Sequence, residues 1–451
     1  MLRHLLPAGL FLAAQLQAQE PGRIPFETYT LDNGLRVILS ENHTAQVITV
    51  NVWYDVGSRN ERPGRTGFAH LFEHMMFQGS DNVKKAEHFQ LVERSGGGAN
   101  GTTQPDRTNY YETLPSNRLN LGLWLEADRM RSLAITDSNL TNQTETVKEE
   151  RRLRVDNQPY GAAIFEGPQA LFDPATCFPY SHSIIGSMAD LDSATVNDVS
   201  GFFKLYYAPN NATLVVTGDF NPADAKRLIQ EYFGAIPRVE PPPPVECNQA
   251  FNTGPIKRRM QDPNANLPAV LLMYRTPAED HADTPALALL GVLLGQGESS
   301  RLNRKLVREA KAAVSSQAIA GPFGPRRGPN LFLTYAIANQ GVGPDSLDLL
   351  LSGEMARLAG GGITEEELTK AKNSLRSMVI RSRQTSMDVA ENLQYATLYL
   401  GGPEAVNTDF ARYMAVTRED LVRVAQTYFR ADNSLTIIVT SEAAEPAGAT
   451  P

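Results

Sequence analysis

"TVNDVSGFFKLYYAPNNATLVVTG", residues 195–218, lies without a gap on "TREDLVRVAQTYFRADNSLTIIVT", residues 417–440. Thr195 falls on Thr417, Asp198 on Asp420, Tyr206 on Tyr428 and Asn211 on Asn433, every pair separated by 417 − 195 = 222 positions. Each copy reads as a helix opened by an N-cap threonine, a turn containing asparagine, and an apolar β-branched strand. One helix-turn-strand unit matching another could be coincidence, but the chain also breaks where a duplication requires. "IPRVEPPPPVECNQAFNTGP" (236–255) is proline-rich, hence extended and stiff, and lies near the middle of the chain. The reading is two domains of similar fold, 22–237 and 250–443, joined by a Pro-rich linker at 238–249 and followed by a disordered tail at 444–451.

Alternating patterns such as "LRVILSE", "VITVNVWYDVGS" and "ATLVVTGDF" stand among helical ones such as "SNRLNLGLWLEADRMRSL" and "EEELTKAKNSLRSMVIRS". Strands with polar alternation predict a mainly antiparallel sheet with helices packed on one face in each half, an α+β fold of two similar tandem domains.

Composition narrows the function. The 451 residues are 42% hydrophobic and 20% charged, ordinary globular material long enough for two or three cores. A formal charge of −8, with no basic block, argues against a nucleic-acid partner. "MLRHLLPAGLFLAAQLQAQE" starts with Arg3, continues through an apolar run from Leu5 to Ala14, and offers small residues for a cut after Ala18. Residues 1–18 therefore read as a signal peptide, which implies secretion across the inner membrane into the periplasm. No stretch approaches the ~20 apolar residues of a membrane span. The two cysteines, Cys177 and Cys247, could pair in an oxidising compartment or remain separate buried thiols.

The chemistry centres on "GFAHLFEHMMFQGS" (67–80). At ~100° per residue, Phe68, Leu71, Phe72, Met75 and Met76 form a core-facing stripe, and His70, Glu73, His74 and Phe77 take the opposite face. A solvated polar face would explain one histidine there. Two imidazoles at i and i+4 come within reach of a single tetrahedral ion, with Glu73 beside it where a general base for the metal-activated water should stand. H-x-x-E-H is the inverse of the H-E-x-x-H zinc-peptidase motif. A catalytic zinc needs a third protein ligand, and "NQTETVKEERRLRVDNQPYG" (142–161) offers Glu145, Glu149 and Glu150 on a predicted helix.

With these residues the chain resembles the pitrilysin, insulin-degrading enzyme and mitochondrial processing peptidase family of zinc metallopeptidases, in a half-length, bacterial secreted form. In that family H-x-x-E-H is followed some 75 residues on by a glutamate just before basic residues. Here 150 − 74 − 1 = 75 residues intervene between His74 and Glu150, at "EERR". The resemblance implies His70, His74 and Glu150 as ligands of one Zn²⁺ per chain and Glu73 as base. Glu149 as ligand, with Glu150 a surface partner of Arg154, is the alternative register. The family also presents an edge strand that pairs with the substrate main chain. "SGGGANGTTQPDRTNYYETLP" (95–115) is similar to it, with Asn100 and Gly101 as the implied substrate-binding residues.

There are departures from the family pattern. Gln143 stands where many members carry an acid seven positions before the third ligand. In full-length members the far half supplies an Arg and, seven residues later, a Tyr that hold the substrate. "LVREAKAAVSSQA" (306–318) is similar to that segment, with Arg308 in place but Ser315 where the Tyr would be. In "PALALLGVLLGQGESSRL" (285–302), similar to the zinc helix, the histidine positions are apolar. The implied protein is a half-enzyme: a zinc metalloendopeptidase acting on extended or unfolded peptides. It would work as a homodimer or heterodimer with a same-fold subunit carrying the Arg/Tyr pair. The competing expectation is a noncatalytic assembly or binding subunit of the same fold.

Overall fold

The two matching stretches fold into the same unit. In the computed structural model, which describes residues 20–251, 253–321 and 325–441, helix Val196–Tyr206 leads through a 3₁₀ turn at Pro209–Asn211 into a strand at Ala212–Gly218. Helix Arg418–Tyr428, the turn Ala431–Asn433 and the strand Ser434–Thr440 repeat it. Thr195 accepts from the Asp198 amide and Thr417 from the Asp420 amide, so both helices carry the expected cap. Asn211 donates to the carbonyls of Tyr206 (2.8 Å) and Asp55 (3.4 Å), and Asn433 to those of Tyr428 (2.9 Å) and Arg275 (2.9 Å). Each asparagine ties the end of its helix to the end of a neighbouring strand. The expected signal segment, 1–18, and the tail, 444–451, lie outside the described residues.

Around these units stand two sheets. The first has strands β1 (Glu27–Thr30), β2 (Arg36–Glu41), β3 (Val47–Tyr54), β4 (Gly98–Thr103), β5 (Thr108–Pro115) and β6 (Ala212–Gly218) in the order β1-β2-β6-β3-β5-β4. The second has β7 (Ile256–Gln261), β8 (Ala269–Thr276), β9 (Ala313–Ala320), β10 (Asn330–Ala338) and β11 (Ser434–Thr440) in the order β7-β11-β8-β10-β9. Only β2–β6 and β7–β11 pair in parallel, and all the other neighbours are antiparallel. Apart from β1, the sheets correspond strand for strand, and β4 and β9 are the equivalent edges. The α+β architecture of two similar halves is thus as expected.

Each half packs its own helices on one face. On the first sheet Val37, Leu39, Val50, Val52, Leu214 and Val216 meet Phe72, Leu123 and Ile229. On the second, Val270, Leu272, Phe332 and Ile438 meet Leu290, Leu351 and Leu421. Side chains of this size contribute ~1.5–3 kcal/mol each when fully buried.

The opposite faces are covered reciprocally, because residues of opposite parity in the central strands are also apolar. Ile38 and Val215 lie under Ala390, Leu393 and Ala396 of helix Ser386–Tyr399, which belongs to the second half of the chain. Gln394 on that helix donates to the carbonyls of Asn51 (3.1 Å) and Thr213 (2.8 Å). In return, Ala163, Leu171, Phe172, Cys177 and Tyr180 from the first half cover Leu271, Met273, Leu333, Ile437 and Val439. Cys177 and Cys247 form a disulfide, so of the two alternatives the bonded one holds, and the proline-rich connection is stapled to the segment that crosses over.

Candidate metal centre

Helix Phe68–Met75 opens at Gly67, whose φ of 84° is left-handed. A Cβ there would stand 2.6 Å from the Ile185 carbonyl and 2.9 Å from Gly186 Cα, so only glycine lets the 185–186 loop cross the helix start. Glu61 supplies the cap: its carboxylate accepts from the amides of Gly67 (2.8 Å) and Ala69 (2.7 Å). A buried anion suits a helix N-terminus. The apolar face packs as the periodicity requires, with Leu71 and Met75 fully buried and Phe72 stacked on Phe203 and tilted against Tyr207.

His70 and His74 project from the other face toward helix Asp137–Arg151, whose Thr136 cap accepts from the Asn139 amide. Glu150 Oε2 lies 3.2 Å from His74 Nε2 and 3.6 Å from His70 Nε2. A tetrahedral ion with ~2.0–2.1 Å bonds spaces its ligands by about 3.3–3.4 Å, close to the distances from the carboxylate oxygen to the two rings, and the ligand atoms of all three residues lie within 4.8 Å of one another. The other oxygen of Glu150 pairs with Arg154 at 3.0 Å, which favours one-oxygen coordination. Glu149 points elsewhere, paired with Arg152 at 2.9 Å. Gln143 lines the same cavity as the His74 ring and contributes to raising it, while its amide donates to Asn142 at 2.9 Å.

The electrostatics suit a cation. Burial, reinforced by His74, pushes His70 down to about 4 and keeps it neutral. Burial also opposes charge on His74, but the Glu150 hydrogen bond and neighbouring carboxylates outweigh it and raise the ring. That bond, with both imidazoles nearby, lowers Glu150. Burial raises Glu73 against the pull of its hydrogen bond from Thr103, moving it in the direction a general base requires. His70, Glu73, His74 and Glu150 line one cavity of about 630 Å³. Asn100 and Gly101 of β4 line it too, as do Phe77, Phe89, Val155 and Ile185. β4 has β5 on one side and, among the described residues, no strand on the other.

Arg308 is not brought to this cavity. It sits in the second half beside Glu298, 2.6 Å away, with Ser315 on β9. Three contributors escaped the motif reading: Thr103, which donates to Glu73, and the buried pair Glu61 and His182 at 3.0 Å. For Thr103 a signal existed, since it lies two residues beyond Gly101 and so on the same face of the strand. For Glu61 and His182, far apart in sequence, there was none.

A second buried cluster, His88, Glu112 and Glu126, also brings ligand-type atoms together. Arg129 already occupies it, paired with both acids and stacked over Tyr110 at 4.4 Å, so the charge there is met without an ion.

Two similar halves, an inverted histidine motif on one and an acid arriving from a second helix define the scaffold of a zinc metallopeptidase. The chain belongs to peptidase family M16: the insulinase (peptidase family M16) pattern matches residues 36–165 and the peptidase M16 inactive domain matches 193–375. It is 34% identical over 426 residues to the zinc protease PqqE of Helicobacter pylori, covering 92% of each chain. A crystallised protease from Helicobacter pylori superposes with a TM-score of 0.86 at 30% identity, over 93% of this chain and 100% of that one. Core protein I of the Euglena gracilis mitochondrial ubiquinol-cytochrome-c reductase complex is 27% identical, over 87% of this chain and 83% of its own. No helix among the described residues is long and apolar enough to cross a membrane.

Proposed function

We propose that this chain is a zinc-dependent endopeptidase that cleaves extended or unfolded peptides, with one Zn²⁺ held by His70, His74 and Glu150. The observation that carries the reading is the placement of these three donors around one point with Glu73 beside them. Zinc bound there would supply Lewis acidity toward a peptide carbonyl and acidify water. Glu73, raised by burial yet still an acceptor, takes the proton of the attacking water and returns it to the leaving amine. The outer edge of β4 pairs with the peptide main chain, which selects an extended backbone over particular side chains. Apolar residues lining the cavity hold bulk water away from the reacting groups.

The missing tyrosine belongs to the same reading. Ser315 cannot reach the developing charge as a tyrosine would, and neither it nor Arg308 lines the cavity. A different chain of this fold that carries the Arg/Tyr pair would bring it across the cleft as a heterodimer, whereas a second copy of this chain would bring Arg308 with Ser315. The character of residues 1–18 favours a periplasmic location. A noncatalytic assembly role is the second reading, favoured by the likeness to a respiratory-complex core protein. The intact donor set and base weigh against it.

Zinc content and cleavage of an unfolded peptide by the purified chain test the proposal. The expectation is one zinc per chain and cleavage that Glu73→Gln abolishes with the metal retained. Metal-free, inactive protein would favour the assembly role, and cleavage persisting in Glu73→Gln would remove the base. Activity that rises on mixing with a same-fold chain supports the partner, whereas full activity of the monomer rules it out.

A further inference from the structure

We infer that Thr103 is a positioning residue that seats the base: its hydroxyl, on the strand proposed to hold the peptide, anchors one oxygen of Glu73 and aims the other at the reacting centre. The inference rests on Glu73 acting as the base.

Thr103 Oγ1 donates to Glu73 Oε2 at 2.5 Å. A glutamate has three rotatable side-chain bonds, and a base must be held within a fraction of an ångström of its working position. The hydroxyl removes most of that freedom from outside the zinc helix, and with Oε2 tied down, Oε1 is the oxygen left to carry the proton. Gly101, two residues earlier and on the same face, completes the seat. A Cβ there would stand 3.1 Å from Glu73 Cγ and 3.1 Å from Tyr110 Cδ1, so the bare glycine gives the glutamate stem its room.

The opposite face of β4 is braced, which gives the anchor a fixed base. Thr102 Oγ1 donates to Asn109 Oδ1 at 2.6 Å, and Arg107 Nη1 donates to the Thr102 carbonyl at 2.8 Å. Arg107 lies over the Trp53 ring, 4.7 Å from its centroid. Asn109 in turn donates to Glu391, on the helix lent by the second half, at 3.0 Å. The same Glu391 oxygen accepts from Asn51 at 2.8 Å and from Trp53 at 3.2 Å. Strand register then sets both the peptide and the base, so a peptide paired with β4 would arrive at a fixed distance from Oε1.

Thr103→Val, nearly isosteric but without the hydroxyl, tests this. Because the strand holds the peptide through its main chain, the substitution should lower kcat about 10- to 100-fold and leave KM within about twofold. Zinc content should be unchanged, and Thr103→Ser should restore kcat to within about threefold of the parent. A readout that needs no activity is the crystal structure of the metal-free Thr103→Val protein, in which the Glu73 carboxylate should swing away from β4. A carboxylate that stays in place there, or a kcat within threefold of the parent, overturns the inference. So does a rise in KM at constant kcat, which would make Thr103 a substrate contact. If Thr103→Val fails to fold, Thr103→Ala carries the same expectations. Failure of the underlying reading looks different: Glu73→Gln would cleave like the parent, whatever Thr103 variants do.

Discussion

The two halves share a fold, and the helix that faces the edge strand differs between them. In the first half, Phe68–Met75 keeps a polar face turned to a cleft, and β4 stands off from it with Glu73 over the bare Gly101. In the second, Thr284–Gly295 is leucine-rich all round and buried along nearly its whole length. It lies directly on the edge strand β9: Gly291 would place a Cβ 3.2 Å from the Ala320 amide, and Gly295 one only 2.1 Å from that of Ala318. Where the histidine positions are apolar the cleft is closed by backbone contact, and where His70, Glu73 and His74 stand space is kept. The proposed metal site is thus an opening kept in one copy of a scaffold that the other copy closes.

Four experiments would break or sharpen this contrast. The largest effect is expected from the metal. Chelation, or His74→Ala, should lower kcat/KM for a peptide by about 10³-fold or more, the loss of several kcal/mol of transition-state stabilisation. Far-UV circular dichroism should be unchanged, since the second half holds the same fold with apolar residues at the histidine positions. A chain that unfolds on chelation would break the comparison.

The glycines come next. Gly295→Ala forces a Cβ into the β9 backbone and should destabilise the protein by about 2–3 kcal/mol in urea unfolding. Gly101→Ala meets the flexible stem of Glu73 and the edge of the Tyr110 ring, each at 3.1 Å and so far less tightly than Gly295 meets backbone, and should cost about 1 kcal/mol. Equal costs would mean that the two edges are packed alike.

The paired asparagines sharpen the likeness of the halves. Asn433 is fully buried with both its bonds at 2.9 Å, while Asn211 is half-buried with one bond at 3.4 Å. Replacement by alanine should cost about 2 kcal/mol at Asn433 and about 1 at Asn211, because the second-half carbonyls lose water as well as their donor.

The smallest effect concerns pH and only the first half. His182 faces the Phe178 carbonyl through Nδ1 and, through Nε2, the Ser58 carbonyl and Glu61, each at 3.0 Å. Acceptors on both sides require both nitrogens to carry protons. Burial opposes that charge, but Glu61 and the carbonyls outweigh it and raise the ring above 6.5. A raised histidine contributes stability that is complete below pH 6.5 and is lost as pH rises through the folded value. The stability difference between the parent and His182→Gln, about 1 kcal/mol near pH 6, should shrink toward pH 9 in melting experiments. A difference that grows with pH would show that the ring is neutral in the folded state.

Much of this molecule follows from local rules. The duplication is legible because a threonine cap, an asparagine turn and an apolar strand are short-range signals that survive in both copies. Likewise, His70 and His74 share a helix face because one turn of helix spans four residues, and Glu73 stands beside them for the same reason. What periodicity could not supply is which distant surfaces meet. Glu149 and Glu150 differ by 100° around one helix, and only the packing of that helix against its neighbour turns the second toward the histidines. The covers exchanged between the sheets, the Cys177–Cys247 bond and the Glu61–His182 cap join residues far apart in the chain. Thr103 and Glu73 are 30 positions apart, on a strand and a helix whose separation depends on a glycine. Such contacts depend on the relative placement of whole elements, a property of the assembled core, and no repeat along the chain encodes them.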